Sequence, residues 1–419
     1  MKKLLILGCS TCEISIINRA KELGVYTIVT DRNTDYRKSP AKNFADEHWD
    51  IDWSHTEELA EKCIEENVSG ITAGFNELQI DSMIRLCERL GKPSYATFGQ
   101  LEIIRNKMRF KSMCRECGIP VINDYSSPDE VNHFPVIVKP SDRCGAIGIA
   151  VADDREELKA AYENALTSSI EKQVVIEDCI TDSQEVNVQY AVIHGTVSML
   201  STFDTYISEK GKIIGKTVTN GVLYPSKYES DCCSTMNQGV ENMVRKMKIQ
   251  DGILMFSGFM TNDGIRIFEG AFRLGAYQNF KYCSIRHGFH YLDIFINHAL
   301  YGSEYTLDRV ANTDDDVKCV TLGIYLKNGV VDSVEGETEV KAIPELTRFR
   351  SSIYRGMICG DSLSMYTSLL TGMEFIHKDP QILAQDVHLV NVLYHVKNQN
   401  GEDMIFDRVN PEKVSVWWD

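Results

Sequence analysis

No stretch of this 419-residue chain approaches the roughly 18 uninterrupted apolar residues that a membrane-spanning helix needs, so no membrane partner is expected. Proline is scarce, at 10 residues, and the chain is 43% hydrophobic and 25% charged, which excludes a mostly disordered polymer. Basic residues are in deficit. Lys and Arg total 44 against 60 Asp and Glu, a net charge of −16. An acidic body repels phosphate backbones, so nucleic acid is not an expected partner, although a local basic pocket for a small anion remains open. The 13 cysteines have no regular spacing and include one adjacent pair, Cys232-Cys233. That pattern lacks the order of a secreted disulfide framework and points to a reduced, cytoplasmic protein. Met1-Lys2-Lys3 followed by LLILG and Cys9 imitates a lipoprotein signal, but the apolar run is shorter than the roughly 7–15 residues of a signal core. It reads instead as a buried first strand.

At about 150 residues per domain, the length predicts two to three domains. The first third alternates short apolar runs (KLLILG, VYTIVTD, WDID, SGITAG) with amphipathic stretches. ISIINRAKELG closes on Gly24 as a helix cap, Ser54-x-x-Glu57 reads as a capping box for TEELAEKCIEENV, and NELQIDSMIRLCERLG follows the fourth run. Such alternation predicts a parallel sheet covered on both faces. A dinucleotide site is the obvious alternative, with Gly8 ending strand one and Asp31 ending strand two. The turn G-C-S-T-C, however, lacks the second and third glycines that let a pyrophosphate approach. Ligands in open sheets bind beyond the strand carboxyl ends, which makes Ser10, Thr11 and Glu77 pocket candidates alongside their reading as simple cap and turn residues. Cys9-x-x-Cys12 and Cys114-x-x-Cys117 are separated by far more than the roughly 15–20 residues between the pairs of a zinc ribbon, so buried thiols are the better reading.

The pattern changes near residue 100. LEIIRNKMRFKSMCRECGIPV predicts a helix ending at Gly118, with Lys107 near its start. HFPVIVKPSDRCGAIGIAVADDREEL predicts strand, glycine loop, strand and helix. Lys139 ends the first strand, and Gly145 and Gly148 lie in the loop. A lysine beside free backbone N–H groups can hold nucleotide phosphates, although a plain hairpin with a solvent-facing lysine has the same pattern. In QVVIEDCITDSQEVNVQYAVIHGTV, Glu177 ends a strand, a linker begins at Asp178, and Glu185 opens an alternating strand. A linker's backbone can meet an adenine edge, and a carboxylate beyond it can accept ribose hydroxyls. GILMFSGFMTNDGIRIFEGAFRLGA predicts a hairpin turning at Asn262-Asp263-Gly264, its second strand ending in Glu269 with Arg273 four residues on. A carboxylate and a guanidinium there suit Mg²⁺ and a transferring phosphoryl group; a structural Glu–Arg pair is the plain alternative.

Taken in order, these motifs resemble the ATP-grasp superfamily over roughly residues 1–310. The resemblance is nearest to carboxylate–amine ligases related to biotin carboxylase and carbamoyl phosphate synthetase. It implies an α/β and α+β fold: a pre-ATP-grasp parallel-sheet domain over 1–100, a two-lobed ATP-grasp core over 101–310 with its lid over about 120–182, and a small C-terminal α+β subdomain over 311–419. It implies ATP and Mg²⁺, with Mn²⁺ as the alternative ion, carboxylate and amine substrates, and a homodimer as the family-level expectation. Residue by residue, Lys107 and Lys139 would contact phosphates, and Gly145 and Gly148 would form the closing loop. Glu177, Asp178, Cys179 and Ile180 would form the adenine hinge, with Glu185 on the ribose. Lys216, or Lys212 on the same SEKGKIIGK segment, would add a phosphate contact. Glu269 would bind the metal, and Arg273, together with Lys139, would be catalytic.

Two positions depart from the family pattern. Ser257 stands where a second metal-binding acid is usual, and Ala271 where an Asn is usual. Three other readings therefore remain: an ATP-grasp ligase with a non-amine acceptor, a nucleotide-binding protein that has lost catalysis, and a nicotinamide-dependent oxidoreductase. Beyond residue 310, VKCVTLGIYLKNGVVDSVEG predicts a hairpin at Asn328-Gly329, PQILAQDVHLVNVLYHV a helix, and Trp417 and Trp418 packed anchors.

Overall fold

The computed structural model describes all residues except 144–146, 214–215, 308–312 and 361–369; for residues 209, 211–213, 216 and 217 it describes the backbone alone. The chain forms two compact units, each discontinuous in sequence. Among the described residues no helix is long and apolar enough to cross a membrane.

One unit comprises Met1–Tyr95, Phe203–Lys227 and Arg273–Asp419. Its N-terminal sheet is parallel, in the order Glu47–Trp49, Tyr26–Thr30, Lys3–Leu7, Gly70–Thr72. Leu4, Leu5, Ile6 and Leu7 are all buried, as an unbroken apolar run requires when helices cover both faces. Helices Glu13–Glu22, Thr56–Glu65 and Glu77–Leu90 follow the strands, and Gly24, at φ +73°, closes the first through its N–H to Lys21 O at 2.9 Å. The capping box expected at Ser54 does not form. Ser54 Oγ donates to Asp52 Oδ1 at 2.7 Å, a local turn that outcompetes the cap, and His55 occupies the N-cap without a side-chain bond.

The later segments pack into this same unit rather than standing apart. Helix Leu292–Tyr301 is fastened by a bidentate pair, Arg19 Nε to Asp293 Oδ1 at 2.6 Å and Arg19 Nη2 to Asp293 Oδ2 at 2.7 Å. A Cβ on Gly70 would stand 2.3 Å from Ala299 O, so the strand and this helix need glycine at their contact. The expected Asn328-Gly329 hairpin is absent. Strand Lys318–Ile324 has both edges taken, by Lys216–Tyr224 and Thr371–His377, while Gly329–Glu335 pairs with Ile358–Cys359 and His395–Asn398 in a separate small sheet. Buried Tyr325 and Leu326 carry the chain from one sheet to the other. Helix Pro380–Leu393 forms as expected, and both C-terminal tryptophans are anchored: Trp417 Nε1 donates to Asp204 Oδ2 and Trp418 Nε1 to Pro225 O, each at 2.8 Å.

The second unit comprises Ala96–Thr202 and Tyr228–Phe272. The single helix expected up to Gly118 is two, Phe98–Arg105 and Lys107–Cys117. Asn106 breaks it. Its extended backbone turns the chain, and its side chain caps the second helix by accepting from Met108 N and Arg109 N, both at 3.1 Å. An antiparallel sheet in the order Asp124–Tyr125, Val174–Asp178, Val136–Pro140, Ala150–Ala152 packs on helix Arg155–Ser168 through Val136, Val138, Leu158, Ala161 and Ile176. Strands Gln184–Ile193, Gly252–Thr261 and Gly264–Phe272 form an antiparallel layer, and the last two make the expected hairpin, with Gly264 at φ +94°. Val186, Val188, Tyr190, Leu254, Phe256 and Phe272 fill one face of that layer. On the other face Ala191 and Ile253 are buried, while Glu185, Asn187 and Ser257 toward its far end are half-buried.

Candidate active site

Alternation along Val136–Pro140 buries Val136 and Val138 against helix Arg155–Ser168 and turns Lys139 to the opposite face. There Lys139 Nζ is ion-paired with Glu177 Oε1, and Glu177 Oε2 accepts from Lys111 Nζ at 2.8 Å. Lys111 is wholly buried and Glu177 is 2% exposed. Burial pushes the Glu177 carboxyl up, but the Lys139 and Lys111 ammonium groups outweigh it and hold it below the ordinary carboxylate range. Two cations thus share one carboxylate; Asp124, 3.7 Å from Lys111, is divided with Arg115. Lys139 Nζ also lies 5.8 Å from the Phe268 ring centroid. Lys107 opens its helix where the chain meets the glycine loop: its N–H bonds Ser141 O at 2.8 Å and its Nζ bonds Arg143 O at 2.5 Å.

Gly148 adopts φ +72°, and a Cβ there would stand 2.8 Å from Pro140 Cγ and 2.9 Å from Ser168 Cβ, so the loop needs glycine on two counts. Gly145 and the side chains of Lys212 and Lys216 lie outside the described residues. In the stretch expected to form the adenine hinge, Asp178 N donates to Asn123 O at 3.1 Å and Cys179 N to Pro135 O at 3.2 Å. The Asp178 carboxylate accepts from the Tyr125 hydroxyl at 2.6 Å. Burial, then that carboxylate, pushes Tyr125 up to about 12.

On the second face of the antiparallel layer, Glu185 and Asn187 alternate along one strand. Asn187 and Glu269 both stand opposite Ser257 in register, so Asn187, Ser257 and Glu269 form a row across three strands. Ser257 Oγ donates to Asn187 Oδ1 at 2.6 Å. A register shift just after Ser257 leaves Phe268 as the extra residue and aims the exposed Glu269 outward. Among the described residues no group of three or more His, Cys, Asp or Glu could hold a metal ion. The row instead offers one carboxylate and two neutral oxygens. Mg²⁺ commonly takes one or two carboxylates and retains waters, so the donor set fits that ion.

The other expected residues gather in the first unit. Ser10 N and Ser10 Oγ both donate to Glu13 Oε2, at 2.7 and 2.6 Å, so Ser10 shapes the turn after the first strand. Half-buried Thr11 is the next residue of that turn. Gly8 is at φ +105°, and a Cβ there would stand 2.4 Å from Gln79 Nε2. Asp31, the residue a dinucleotide ribose would need, is engaged by Asn33 N at 2.7 Å and Ser39 Oγ at 2.9 Å. Glu77 and Arg273 are brought together, Nε to Oε1 at 3.6 Å, because Leu274 N bonds Gly74 O at 2.8 Å and lays the 273–274 segment on the turn after the fourth strand. Sequence reasoning missed Lys111 and Asn187. Lys111 follows Lys107 by one helical turn but falls on the apolar face with Phe110 and Cys114, and a charge at a core position was its only signal.

Comparison with known proteins accords with this architecture. The biotin carboxylase domain of Hydrogenobacter thermophilus 2-oxoglutarate carboxylase, solved with MgADP, ADP and bicarbonate, superposes with a TM-score of 0.74 at 17% identity, over 94% of this chain and 90% of that one. The L-amino acid ligase of Bacillus licheniformis gives 0.73 at 19%, over 96% and 99%. At such identities these likenesses establish the fold, which is that of the ATP-grasp class. The D-ala D-ala ligase C-terminus family model matches residues 123–250, the span that carries Lys139, Glu177 and Glu185. By sequence, the 2-oxoglutarate carboxylase small subunit of H. thermophilus is 22% identical over 251 residues, 54% of this chain and 53% of that protein. The chain spans about half the length of the curated relatives it matches.

Proposed function

We propose that this protein is an ATP-dependent ligase that activates a carboxylate as an acylphosphate and joins it to an amine, releasing ADP and phosphate. One observation carries the reading: Lys139 and Lys111 share Glu177 in a buried cluster with a surplus positive charge, and Lys139 and Glu177 fall within the span matched by the ligase family model. A nucleotide's phosphates would supply the missing negative charge.

In this reading Lys107 and Lys139 gather the phosphates, joined by Lys216 and by loop N–H groups around Gly145 and Gly148. Because the Asp178 and Cys179 N–H groups are engaged within the lid, the base is met by hinge carbonyls from Glu177 onward and by Ile180 N–H. Glu185 accepts the ribose hydroxyls. Glu269, Asn187 and Ser257 would hold Mg²⁺ or Mn²⁺. That ion, when bound, neutralises phosphate charge. The carboxylate substrate attacks the γ-phosphorus, ADP leaves, and the amine then displaces phosphate from the acyl carbon. Arg273 stabilises charge on the transferring phosphoryl group, and Glu77 orients the guanidinium. Ser10 and Thr11 border the substrate side. Closure of the glycine loop excludes the water that would hydrolyse the acylphosphate.

A cytoplasmic location belongs to the same proposal and is supported by all twelve described cysteines being free thiols. A homodimer also belongs to it, and the H. thermophilus biotin carboxylase domain was solved as a dimer. The test is ADP release from MgATP across a panel of carboxylates paired with amines. ADP formation that requires one carboxylate supports the ligase. Nucleotide binding with no product from any pair favours the reading of a protein that has lost catalysis, which Ser257 and Ala271 motivate.

A further inference from the structure

Strand Leu346–Ser351 alternates Arg348 and Arg350 on one face with Phe349 on the other. The Phe349 ring packs toward Tyr394 in the core, 6.1 Å between centroids. The two guanidinium groups lie over Gly372, the register partner of Arg350. A Cβ on Gly372 would stand 3.6 Å from Arg350 Nη2 and 3.7 Å from Arg348 Nη1, so both charges converge on one spot that a glycine leaves open. Like charges this close are unfavourable without a counter-ion.

Among the described residues one carboxylate, Glu374, is ion-paired with this pair of guanidinium groups, at Arg348. Arg348 Nη2 bonds Tyr277 O and lies 3.4 Å from Glu374 Oε2, but Arg348 Nε and Nη1 are buried without an acceptor. Arg350 Nη1 donates to Cys12 Sγ at 2.7 Å. A neutral thiol is a weak acceptor for a guanidinium, and burial pushes the Cys12 thiol up, which keeps it neutral. Glu13, the next acid in this direction, is buried and already accepts twice from Ser10. Leaving buried guanidinium donors without an acceptor is unfavourable.

These arginines abut the turn after the first strand. Gln278 Nε2 donates to Cys12 O at 3.4 Å, and Ser15 Oγ donates to Gln278 Oε1 at 2.9 Å. Gln278 is held at φ +56°, a left-handed conformation uncommon for a side chain of its size. We infer that Arg348 and Arg350 form a subsite for an oxyanion, carboxylate or phosphate, carried by one of the two substrates away from its reacting group. This rests on the ligase reading, because it places the subsite beside Ser10 and Thr11 on the substrate side. The anion replaces Cys12 Sγ on Arg350 and takes the idle donors of Arg348 in a forked arrangement.

The experiment measures binding of inorganic phosphate and of succinate to the full chain by calorimetry, with and without saturating MgADP. At least one probe binds the wild type in both conditions. Arg348→Met and Arg350→Met each weaken it about tenfold or more, the loss expected for a charge-assisted hydrogen bond. Arg350→Lys loses less, and Cys12→Ala retains or strengthens binding because the competing sulfur is gone. Preference for phosphate assigns a phosphorylated substrate, and preference for succinate a second carboxylate. Failure of both probes on the wild type overturns the subsite, as does wild-type binding by both methionine variants. If those variants do not fold, Arg350→Lys and Cys12→Ala decide: no change in the first, or loss in the second, overturns it. Absence of MgADP binding would count against the ligase reading, while the nucleotide-free titrations still judge the subsite.

Discussion

Lys111 Nζ lies 2.8 Å from Glu177 Oε2, and neither side chain is reached by more than a trace of solvent. A helix residue is thereby tied to strand Val174–Asp178, whose carboxylate also holds Lys139. Removing the shared acid strands two buried ammonium groups. Glu177→Gln is expected to destabilise this unit by about 3–5 kcal/mol. Lys111→Met, which leaves the Lys139–Glu177 pair intact, should cost less. Denaturant unfolding of both variants checks the ranking, and equal losses would contradict the shared-acid account.

The same cluster sets a pH dependence. The Glu177 carboxyl is held below its ordinary range, so its contribution is present at neutral pH and is lost as pH falls through the depressed value. The deficit of Glu177→Gln relative to wild type should therefore shrink once the pH is well below 4.5, the carboxyl's ordinary value. A deficit that persists unchanged in acid would place the destabilisation in packing rather than charge.

Lys139→Ala and Arg273→Ala are expected to separate binding from turnover. Loss of Lys139 removes a phosphate contact and weakens nucleotide binding about tenfold or more. Loss of Arg273 lowers kcat by about 10²–10³ with a smaller effect on ATP affinity, because its interaction develops in the transition state. Titration of nucleotide binding beside steady-state kinetics reads both. Normal turnover in Arg273→Ala would remove its catalytic role.

Glu269 supplies the only carboxylate of the row with Ser257 and Asn187 that is proposed to hold the metal. Glu269→Gln should raise the Mg²⁺ concentration needed for half-maximal activity by more than Asn187→Ala does, since a hard cation prefers the charged oxygen. An unchanged Mg²⁺ dependence in Glu269→Gln would move the metal elsewhere.

Asp386, on helix Pro380–Leu393, is a local weakness of the other unit. It is buried, its Oδ2 has no partner, and burial followed by the nearby Glu345 charge pushes its carboxyl up to about 7. An acid raised in the folded state favours folding at low pH, and that contribution is lost as pH rises toward the folded value. Asp386→Asn should match wild type near pH 4 and exceed it by about 1–3 kcal/mol above pH 7 in urea unfolding. A variant no more stable at pH 8 would contradict the raised value.

What the sequence disclosed depended on how local the determinant was. Unbroken apolar runs predicted the parallel sheet, and Asn262-Asp263-Gly264 predicted its hairpin, because burial on both faces and a left-handed turn are written in adjacent residues. Asn328-Gly329 carried an equally strong local signal and misled, since both edges of Lys318–Ile324 are claimed by strands distant in sequence. Asn106 was read through as helix because its capping competes with continuation by a small margin. Lys139, Glu177 and Glu269 were legible as charges at strand ends. Lys111, Asn187 and Arg348 were not, because their significance comes from partners such as Glu177, Ser257 and Tyr277 that only the fold brings near.

Hydroxylamine trapping tests the central claim most directly. The protein would be incubated with MgATP, a responsive carboxylate and hydroxylamine, with nucleotide products and hydroxamate quantified together. Activation through an acylphosphate predicts ADP and the carboxylate's hydroxamate in equal amounts, both lost in Arg273→Ala. Release of AMP and pyrophosphate, or ADP with no hydroxamate while the amide still forms without exchange of carboxylate oxygen into phosphate, would contradict it.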